Sequence, residues 1–387
     1  MNLNENKSPK NILKHHQSFL REIRYIKAVF SEGYQLFSMK NLLLVWLLLC
    51  LCTTTQAQLK RYQVAIIGFY NLENLYDTIN NPITNDDEFT PTGAKKYNTI
   101  IFRDKLNKLA TVIKDIGTDY HESGAAILGV AEIENDTVLQ FLIQHPLLKK
   151  RNYHIVHASS KDLRGVDVGL LYQPSFFTPI AAQKIFVPLP GKSKDASFTR
   201  DILYVKGMMM TDTFHLYVNH WPSRRGGEQR SSSARMVAAT ICRKHMDSIQ
   251  AIIPDAKLIV MGDLNDDPED KSIVQGLRTH SKPHEIGQGE LYNPWVEQLR
   301  KGNGTLAHKD NWGLFDQILV SKSLLDRKMG EFFFFREYIY NKSYLTEYTG
   351  RFKGYPMRTW EGNQYRGGYS DHFPVYTVFL RQIIDNQ

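Results

Sequence analysis

Six apolar runs in this 387-residue sequence stop at, or start from, residues that can hold a cation or move a proton. "IIGFYN" ends at Asn71 with Glu73 just beyond, "AILGVAE" ends at Glu132, "LYVNH" at Asn219 and His220, and "LIVMGDLN" at Asp263 and Asn265. Asp316 opens "DQILV", and the "SDH" of Ser370, Asp371 and His372 precedes "FPVYTVFL". Carboxylate and carboxamide oxygens suit a hard divalent cation. Imidazoles suit proton transfer near neutral pH. Taken singly, a strand-end Asp is more often a turn former or a helix cap, and a lone His is more often structural. Their shared position carries the weight, because ligand sites in α/β sheets gather where strands end.

Asp263, Asn265, Asp266 and Asp267 crowd into five residues and invite a calcium-loop reading. Asp263-x-Asn265-x-Asp267 fits the first three alternate positions of an EF-hand. The sixth position must be Gly and is Pro268, which cannot make that turn. The twelfth should be Glu and is Val274, and a strand precedes where a helix should. The sequence excludes that loop. The cluster Asp86, Asp87 and Glu88 reads as a solvated loop.

The elements that must position these residues are legible as periodicity. "VAIIGF" (64–69), "AAILGV" (125–130), "DVGLLY" (167–172), "ILYVKGMMM" (202–210), "FHLYVNH" (214–220) and "KLIVMG" (257–262) read as strands, as do "DQILVS" and "PVYTVFL". Several are apolar without alternation, which predicts burial on both faces. Ile101, Leu106, Leu109, Ile113 and Ile116 share one face of a helix, and Met236, Ala239, Ile249 and Ile253 roughly share another. "FFFF" (332–335) reads as a buried strand. "SRRGGEQRSSSAR" (223–235) reads as a flexible basic loop entering a helix, and 340–368 as a long irregular loop. No repeat, linker or internal boundary interrupts the pattern, so one α/β domain with helices covering sheets is expected.

Composition agrees. With 42% hydrophobic residues the chain can bury a large core, which excludes disordered and collagen-like classes. Met39-Lys40 opens the apolar run "LLLVWLLLCLC" (42–52), followed by Thr55 and Ala57. That pattern reads as a signal peptide over 39–57 cleaved after Ala57, and a run of 11 residues is short for a membrane span. Residues 1–38 then read as a spurious or disordered extension, with translation from Met39. The expected location is secreted or periplasmic, with no stable membrane span after cleavage. Residues 58–387 retain 41 basic and 37 acidic residues, a net +4, which suits an anionic substrate. Cys242 is the one cysteine left there, so no intramolecular disulfide is expected.

Taken in order, "FYNLENL", "GVAEIEN", "DVGLLY", "VNHWPSRRGG", "GDLNDDP", "DQILVS" and "YSDHFPV" resemble the endonuclease/exonuclease/phosphatase superfamily, the deoxyribonuclease I-like enzymes. The resemblance runs from Tyr62 to Leu380, and "GDLN" and "SDH" are its most specific motifs. It implies an α/β fold, a four-layer α/β sandwich of two mixed β-sheets packed face to face with helices outside. It implies that Glu132 binds the metal, helped by Asn71 and Asp371. The ion is then Mg²⁺ or Mn²⁺, with Ca²⁺ a further candidate. Asp263 and Asn265 match an Asp-x-Asn pair that contacts the scissile phosphate and a second metal. His372 matches the histidine that activates water, oriented by Asp316. His220 matches the second histidine, on the phosphate or the leaving oxygen, with Asn219 beside it among the substrate-binding residues. Arg200 resembles a phosphate-binding arginine. Ala131 stands where Gln commonly precedes the metal glutamate, Asp167 is a candidate to orient His220, and Glu73 has no role.

The resemblance implies a monomeric, divalent-metal-dependent phosphodiesterase, foremost an endonuclease that cleaves nucleic acid by His-activated water attack. Arg224, Arg225, Arg230 and the segment around Tyr355–Arg366 are candidates to line a groove for polyanion backbones. The second reading is a phosphoesterase for lipid or inositol phosphates, like the sphingomyelinases and inositol phosphatases. The third is a non-catalytic binding module, which would be expected to have lost some of Glu132, Asp263, Asn265, Asp316 or His372. None is missing.

Overall fold

The computed structural model describes residues 61–189 and 198–383, besides Arg21 and Arg24. The leader expected over 39–57 therefore lies outside the described residues, with its cleavage point at Ala57. The chain divides into two units, Met1–Lys60 and Arg61–Gln387, and the fold is that of the second. Among the described residues no helix is long and apolar enough to cross a membrane.

In chain order the elements are β1 (Tyr62–Leu75), α1 (Thr99–Ile113), β2 (Ile127–Ile133), α2 (Asp136–Ile143), β3 (His154–His157), β4 (Asp167–Tyr172), β5 (Thr178–Ile185), β6 (Ile202–Met209), β7 (Asp212–His220), α3 (Glu228–Gln250) and β8 (Lys257–Asp263). There follow β9 (Thr279–His280), β10 (Leu291–Tyr292), α4 (Trp295–Arg300), β11 (Leu306–His308), β12 (Asn311–Gly313), β13 (Asp316–Ser321), β14 (Phe332–Ile339), β15 (Trp360–Glu361), β16 (Gln364–Tyr365) and β17 (Val375–Gln382). Two large sheets result, ordered β14-β17-β1-β2-β4-β3 and β5-β6-β7-β8-β13-β10-β9, with two small ribbons, β11-β12 and β15-β16. Both sheets are mixed. β1–β2 and β7–β8 run parallel, while β1–β17 and β8–β13 run antiparallel.

The unbroken apolar strands are explained by three cores. Ala65, Ile67 and Phe69 of β1 meet Ile259 and Met261 of β8 between the sheets. The alternate residues Ile66 and Tyr70 face outward onto Leu109 and Ile113 of α1 and Leu139 of α2. Across the other sheet, Leu258 and Val260 meet Ala238, Cys242 and Met246 of α3. Each central strand is covered on both faces, so alternation of polarity has no purpose there. The layers are helix, sheet, sheet and helix: the four-layer sandwich. Gly129 of β2 leaves room for Met261 of the facing sheet, whose sulfur would stand 2.7 Å from a Cβ there.

Three expectations need correction. "FFFF" begins the edge strand β14. Phe332 and Phe333 are buried, but Phe335 is exposed at the irregularity where pairing with β17 shifts register. The 223–235 segment is not all loop: α3 begins at Glu228, and Arg235 lies fully buried inside it, paired with Asp266 at 2.6 Å and Glu228 at 2.7 Å. The buried face of α3 runs through Arg235, Ala238, Ala239, Cys242 and Met246, whereas Ile253 lies beyond the helix and is exposed.

Candidate active site

Strand direction brings the residues to one end of the sandwich. The parallel pair β7–β8 sets Asn219 opposite Gly262 and His220 opposite Asp263. The antiparallel pair β8–β13 sets Asp263 opposite Asp316. A Cβ on Gly262 would lie 2.3 Å from the carbonyl of Asn219, so glycine is required for the two strand ends to close beside the site. β1 and β2 pair as far as Asn71 and Ala131, and then both lose register.

That loss of register aims the glutamate. Val130 and Ile133 both sit in the outer core while Ala131 sits in the inner one, so Glu132 is the extra residue of a bulge. Its φ is +58°, and Glu73, Asn74 and Asn265 stand at +48°, +56° and +51°. Four non-glycine residues around one site hold left-handed backbones, which cost on the order of 1–3 kcal/mol each, least for asparagine. Hydrogen bonds hold them: the Asn74 amide donates to Glu132 Oε2 at 3.0 Å, the Glu73 amide to Asn71 Oδ1 at 2.9 Å, and the Asn265 amide to Asp263 Oδ1 at 3.1 Å.

The side chains converge. His372 Nδ1 lies 2.7 Å from Asp316 Oδ2, both groups buried, so in the neutral ring the proton is assigned to Nδ1 and Nε2 is the acceptor. That Nε2 lies 4.0 Å from Asp263 Oδ2 and 4.0 Å from Asp371 Oδ1. His220 Nε2 lies 3.6 Å from Asp263 Oδ2 and 3.8 Å from Glu132 Oε1. Asn71 Nδ2 donates to Asp263 Oδ2 at 3.1 Å. Ser370 ties the loop down, donating to the carbonyl of Asn71 at 2.7 Å and accepting from the His372 amide.

The electrostatics separate the groups. Burial lowers the basicity of His372, but the carboxylates of Asp316, Asp263 and Asp371 outweigh it and raise the imidazole well above its usual range. Burial, with Arg200 and Arg164 nearby, drives His220 well below, so it is neutral at pH 7. Burial raises Asp263 to about 7, against the pull of His372. Burial also raises Glu132, but Arg164, His372 and Arg200 overcome it and leave that carboxyl below its ordinary value.

Other expected residues are placed differently. Arg200 is buried behind His220: it donates to the carbonyls of His220 at 3.1 Å and Trp221 at 2.5 Å and to Asp162 at 3.2 Å. Those bonds brace the backbone that carries His220. Asn219 is fully buried, its amide donating to the carbonyls of Tyr217 and Met261 and its oxygen accepting from Trp221. Asn265 donates to the carbonyl of Trp221 at 2.9 Å. Asp167 meets His157 at 3.0 Å and Ser160, not His220. Arg224 is absorbed by Asp266, Asp267, Asp270 and Glu228.

Two residues enter that the motifs alone do not mark. Arg164, from the loop before β4, reaches Glu132 Oε1 at 3.4 Å and bonds the Asn74 side chain, with 39% of its own side chain exposed. Its signal in the sequence is its place, three residues before the strand-opening Asp167. Glu73 turns inward and accepts from the amides of Thr359 and Trp360 at 2.6 and 3.2 Å, while fully buried Lys105 donates to the Thr359 hydroxyl at 2.8 Å. Glu73 thus fastens the 340–368 segment to the end of β1.

The oxygen donors suit a hard cation. Asn71, Glu132 and Asp371 offer carboxylate and carboxamide oxygens and no thiolate, the set that Mg²⁺ or Mn²⁺ prefers. Asp263, Asp316 and His372 also form a buried group whose ligand atoms lie within 4.8 Å of one another. The 2.7 Å hydrogen bond between Asp316 and His372 already uses one atom of each for proton positioning.

The sequence pattern described as the Endonuclease/Exonuclease/phosphatase family matches residues 66–382. No curated protein matches the chain. Among solved structures it is similar to a mannosyl-6-phosphatase of Bacteroides thetaiotaomicron VPI-5482, with 17% identity, a TM-score of 0.50, and coverage of 81% of this chain and 99% of that one. It is also similar to an endonuclease/exonuclease/phosphatase family protein of Bacteroides thetaiotaomicron, with 16% identity, a TM-score of 0.49, and coverage of 84% and 97%. D. rerio TDP2 complexed with single strand DNA product matches at 15% identity and a TM-score of 0.48, covering 82% and 99%. At these identities the likeness is one of fold.

Proposed function

The chain belongs to the endonuclease/exonuclease/phosphatase family, and from that premise we propose that it is a divalent-metal-dependent phosphodiesterase that hydrolyses nucleic-acid backbones. The observation that carries this reading is the buried Asp316–His372 pair at 2.7 Å with its free Nε2 turned toward Asp263 and Asp371. Asn71, Glu132 and Asp371 would hold the cation, which when bound neutralises charge on the non-bridging phosphate oxygens.

The remaining work falls to the chain's own groups. His372 accepts a proton from the attacking water at Nε2, and the Asp316 carboxylate stabilises the imidazolium that forms. As the new O–P bond forms, the bond to the leaving oxygen breaks, and that oxygen needs a proton. The two groups of the site that can supply it are His220 and Asp263, 3.6 Å apart. His220 and the second N–H of the Asn265 amide, whose first is held by the Trp221 carbonyl, hydrogen-bond the phosphate without adding negative charge.

The test is a hydrolysis screen with Mg²⁺ or Mn²⁺, with EDTA as control, over single-stranded and duplex DNA, RNA, sphingomyelin, inositol phosphates, sugar phosphates and bis-p-nitrophenyl phosphate. His372→Ala and Asp263→Ala should each lower turnover by about 10²–10⁴ while the protein stays folded. Full turnover by either variant, or turnover in EDTA, would refute the mechanism. Cleavage confined to lipid, inositol or sugar phosphates would replace the substrate.

We further propose that the chain is exported, on the strength of the apolar run 42–52 followed by Thr55 and Ala57. A mature N-terminus at Gln58 is the expected result of N-terminal sequencing. An intact leader on the purified protein would overturn it.

A further inference from the structure

Two clefts adjoin at Arg358, which comes within 3.9 Å of Asp371 at the rim of the site. The larger, of 760 Å³, is walled by the Arg224–Gly227 turn on one side and on the other by the β11–β12 ribbon, which carries Trp312. The smaller, of 320 Å³, lies among Arg351, Phe352, Tyr355 and Arg366.

Their aromatic side chains form a chain. Phe373, next to His372 in sequence, stacks on Trp312 with ring centres 6.1 Å apart and planes 15° apart. Trp312 meets Tyr355 edge-on at 5.8 Å, and Tyr355 meets Phe352 at 5.6 Å. Trp312 is 37% exposed and Phe352 39%, so one end of the chain is wedged beside the reacting groups while faces farther along stay open. Tyr355 is locked in place: its hydroxyl donates to Asp310 at 2.6 Å and accepts from the Asp310 amide. That bond joins the β11–β12 ribbon to the 340–368 segment, and Glu73 fastens the same segment at Thr359.

The charges run beside the rings. Arg225 and Lys309 line the larger cleft and make no ion pair among the described residues. Arg351 stands over Phe352 in the smaller one. Of the acidic residues lining the two clefts, Asp267 is held by Arg224 and by the Leu314 amide, Asp371 faces Arg358 and Glu361 faces Arg366, while Glu347 makes no ion pair among the described residues. A ligand with one anionic group would need only the reacting site, whereas cations spread over two adjoining clefts suit several phosphates in series. Exposed ring faces suit bases that are free to stack, which duplex bases are not.

We propose that the two clefts are one track for an unpaired nucleic-acid strand on the flank of the scissile phosphate. Bases stack on Trp312 and Phe352, and phosphates lie along Arg225, Lys309 and Arg358. This deepens the nuclease reading and rests on it for the substrate, but not for the binding.

The test is fluorescence anisotropy on the full chain in EDTA, so that no strand is cut. The probes are a labelled thymidine 12-mer, the same 12-mer with abasic sites at every position, and a 12-base-pair duplex. The thymidine strand should bind roughly tenfold or more tightly than the abasic strand, since each stacked base is worth about 1–3 kcal/mol. Trp312→Ala should erase most of that difference and Trp312→Phe restore it, the second variant separating lost stacking from a damaged fold. Arg225→Ala with Lys309→Ala should reduce the slope of log affinity against log salt by about 1–2. Equal binding of the abasic strand, tighter binding of the duplex, or no effect of Trp312→Ala would overturn the track. Strand binding without any hydrolysis would instead overturn the catalytic reading and leave the track standing.

Discussion

Replacing Asp316 by Asn tests the core of the mechanism with almost no change of shape. Asp316 is fully buried, its Oδ2 holds His372 Nδ1 at 2.7 Å, and its Oδ1 has no hydrogen-bond partner. A hydrogen bond to a charged group is worth roughly 1.5–3 kcal/mol. At about 1.4 kcal/mol per tenfold change, loss of orientation alone lowers the rate by roughly 10- to 150-fold. An amide that turns its N–H toward Nδ1 also moves the ring proton to Nε2, where the imidazole can no longer accept from water. Tautomer inversion of this kind lowers turnover by about 10⁴. The expected result is kcat down by about 10²–10⁴ with KM nearly unchanged, because the group acts on the transition state.

The pH profile supplies a second readout. In the native protein Asp316, Asp263 and Asp371 raise His372 against the effect of burial. Since the base works in its neutral form, activity rises with pH through that raised value. Without the Asp316 charge, burial weighs more, and the rising limb moves to lower pH. Stopped measurements of diester hydrolysis from pH 5 to 10 give both numbers, and thermal melting checks the fold. Wild-type kcat, a loss confined to KM, or an unmoved limb would refute the assignment of His372 as the base.

Other outcomes follow from the same geometry. Arg164→Ala frees Glu132 from a guanidinium at 3.4 Å, so the Mg²⁺ concentration for half-maximal activity should fall by several-fold, about the effect of one nearby charge, and an unchanged metal titration would count against the contact. Burial holds Glu73 at about 7 in the fold, above its unfolded value. The folded metal-free protein therefore binds the extra proton, and stability falls as pH rises from about 4.5 through 7. Glu73→Gln should flatten that fall by an amount on the order of 2 kcal/mol, read as urea midpoints at pH 5 and 8, and an equally steep fall in the variant would contradict it. EDTA should abolish hydrolysis and Mg²⁺ or Mn²⁺ restore it; activity that survives exhaustive chelation would remove the cation from the account.

Much of this site is legible in the sequence because it is built at strand ends. Asn71, Glu132, Asp263, Asp316 and His372 each terminate or open an apolar run, and strand pairing within each sheet, with the packing of one sheet on the other, brings them together. Arg200 shows the limit of motif reading. Its type suggests a phosphate ligand, yet its guanidinium is spent on the carbonyls of His220 and Trp221, a choice made by long-range packing. Arg164 carries no motif and Glu73 shows no role in the sequence, because their partners lie 32 and 286 residues away. The edge strands β3 and β5 escaped because half-exposed strands need no apolar run. The bulge at Glu132 leaves no trace in "GVAEIEN", since a glutamate in a left-handed backbone is written with the same letter as one in a strand.

That left-handed glutamate sets stability and turnover against each other at one codon. At Glu132, φ +58° is a conformation that glycine adopts freely and an L side chain resists. A glycine there would relax the backbone while removing the carboxylate that the reaction needs. Variants screened for heat resistance or soluble yield alone should therefore accumulate Gly at position 132 and lose turnover, whereas screens that include turnover should hold the glutamate. The same conflict is milder at Asn265, where the side chain tolerates the geometry at little cost. Heat tolerance would then have to be gained away from the site, in the helix layers and at the sheet edges.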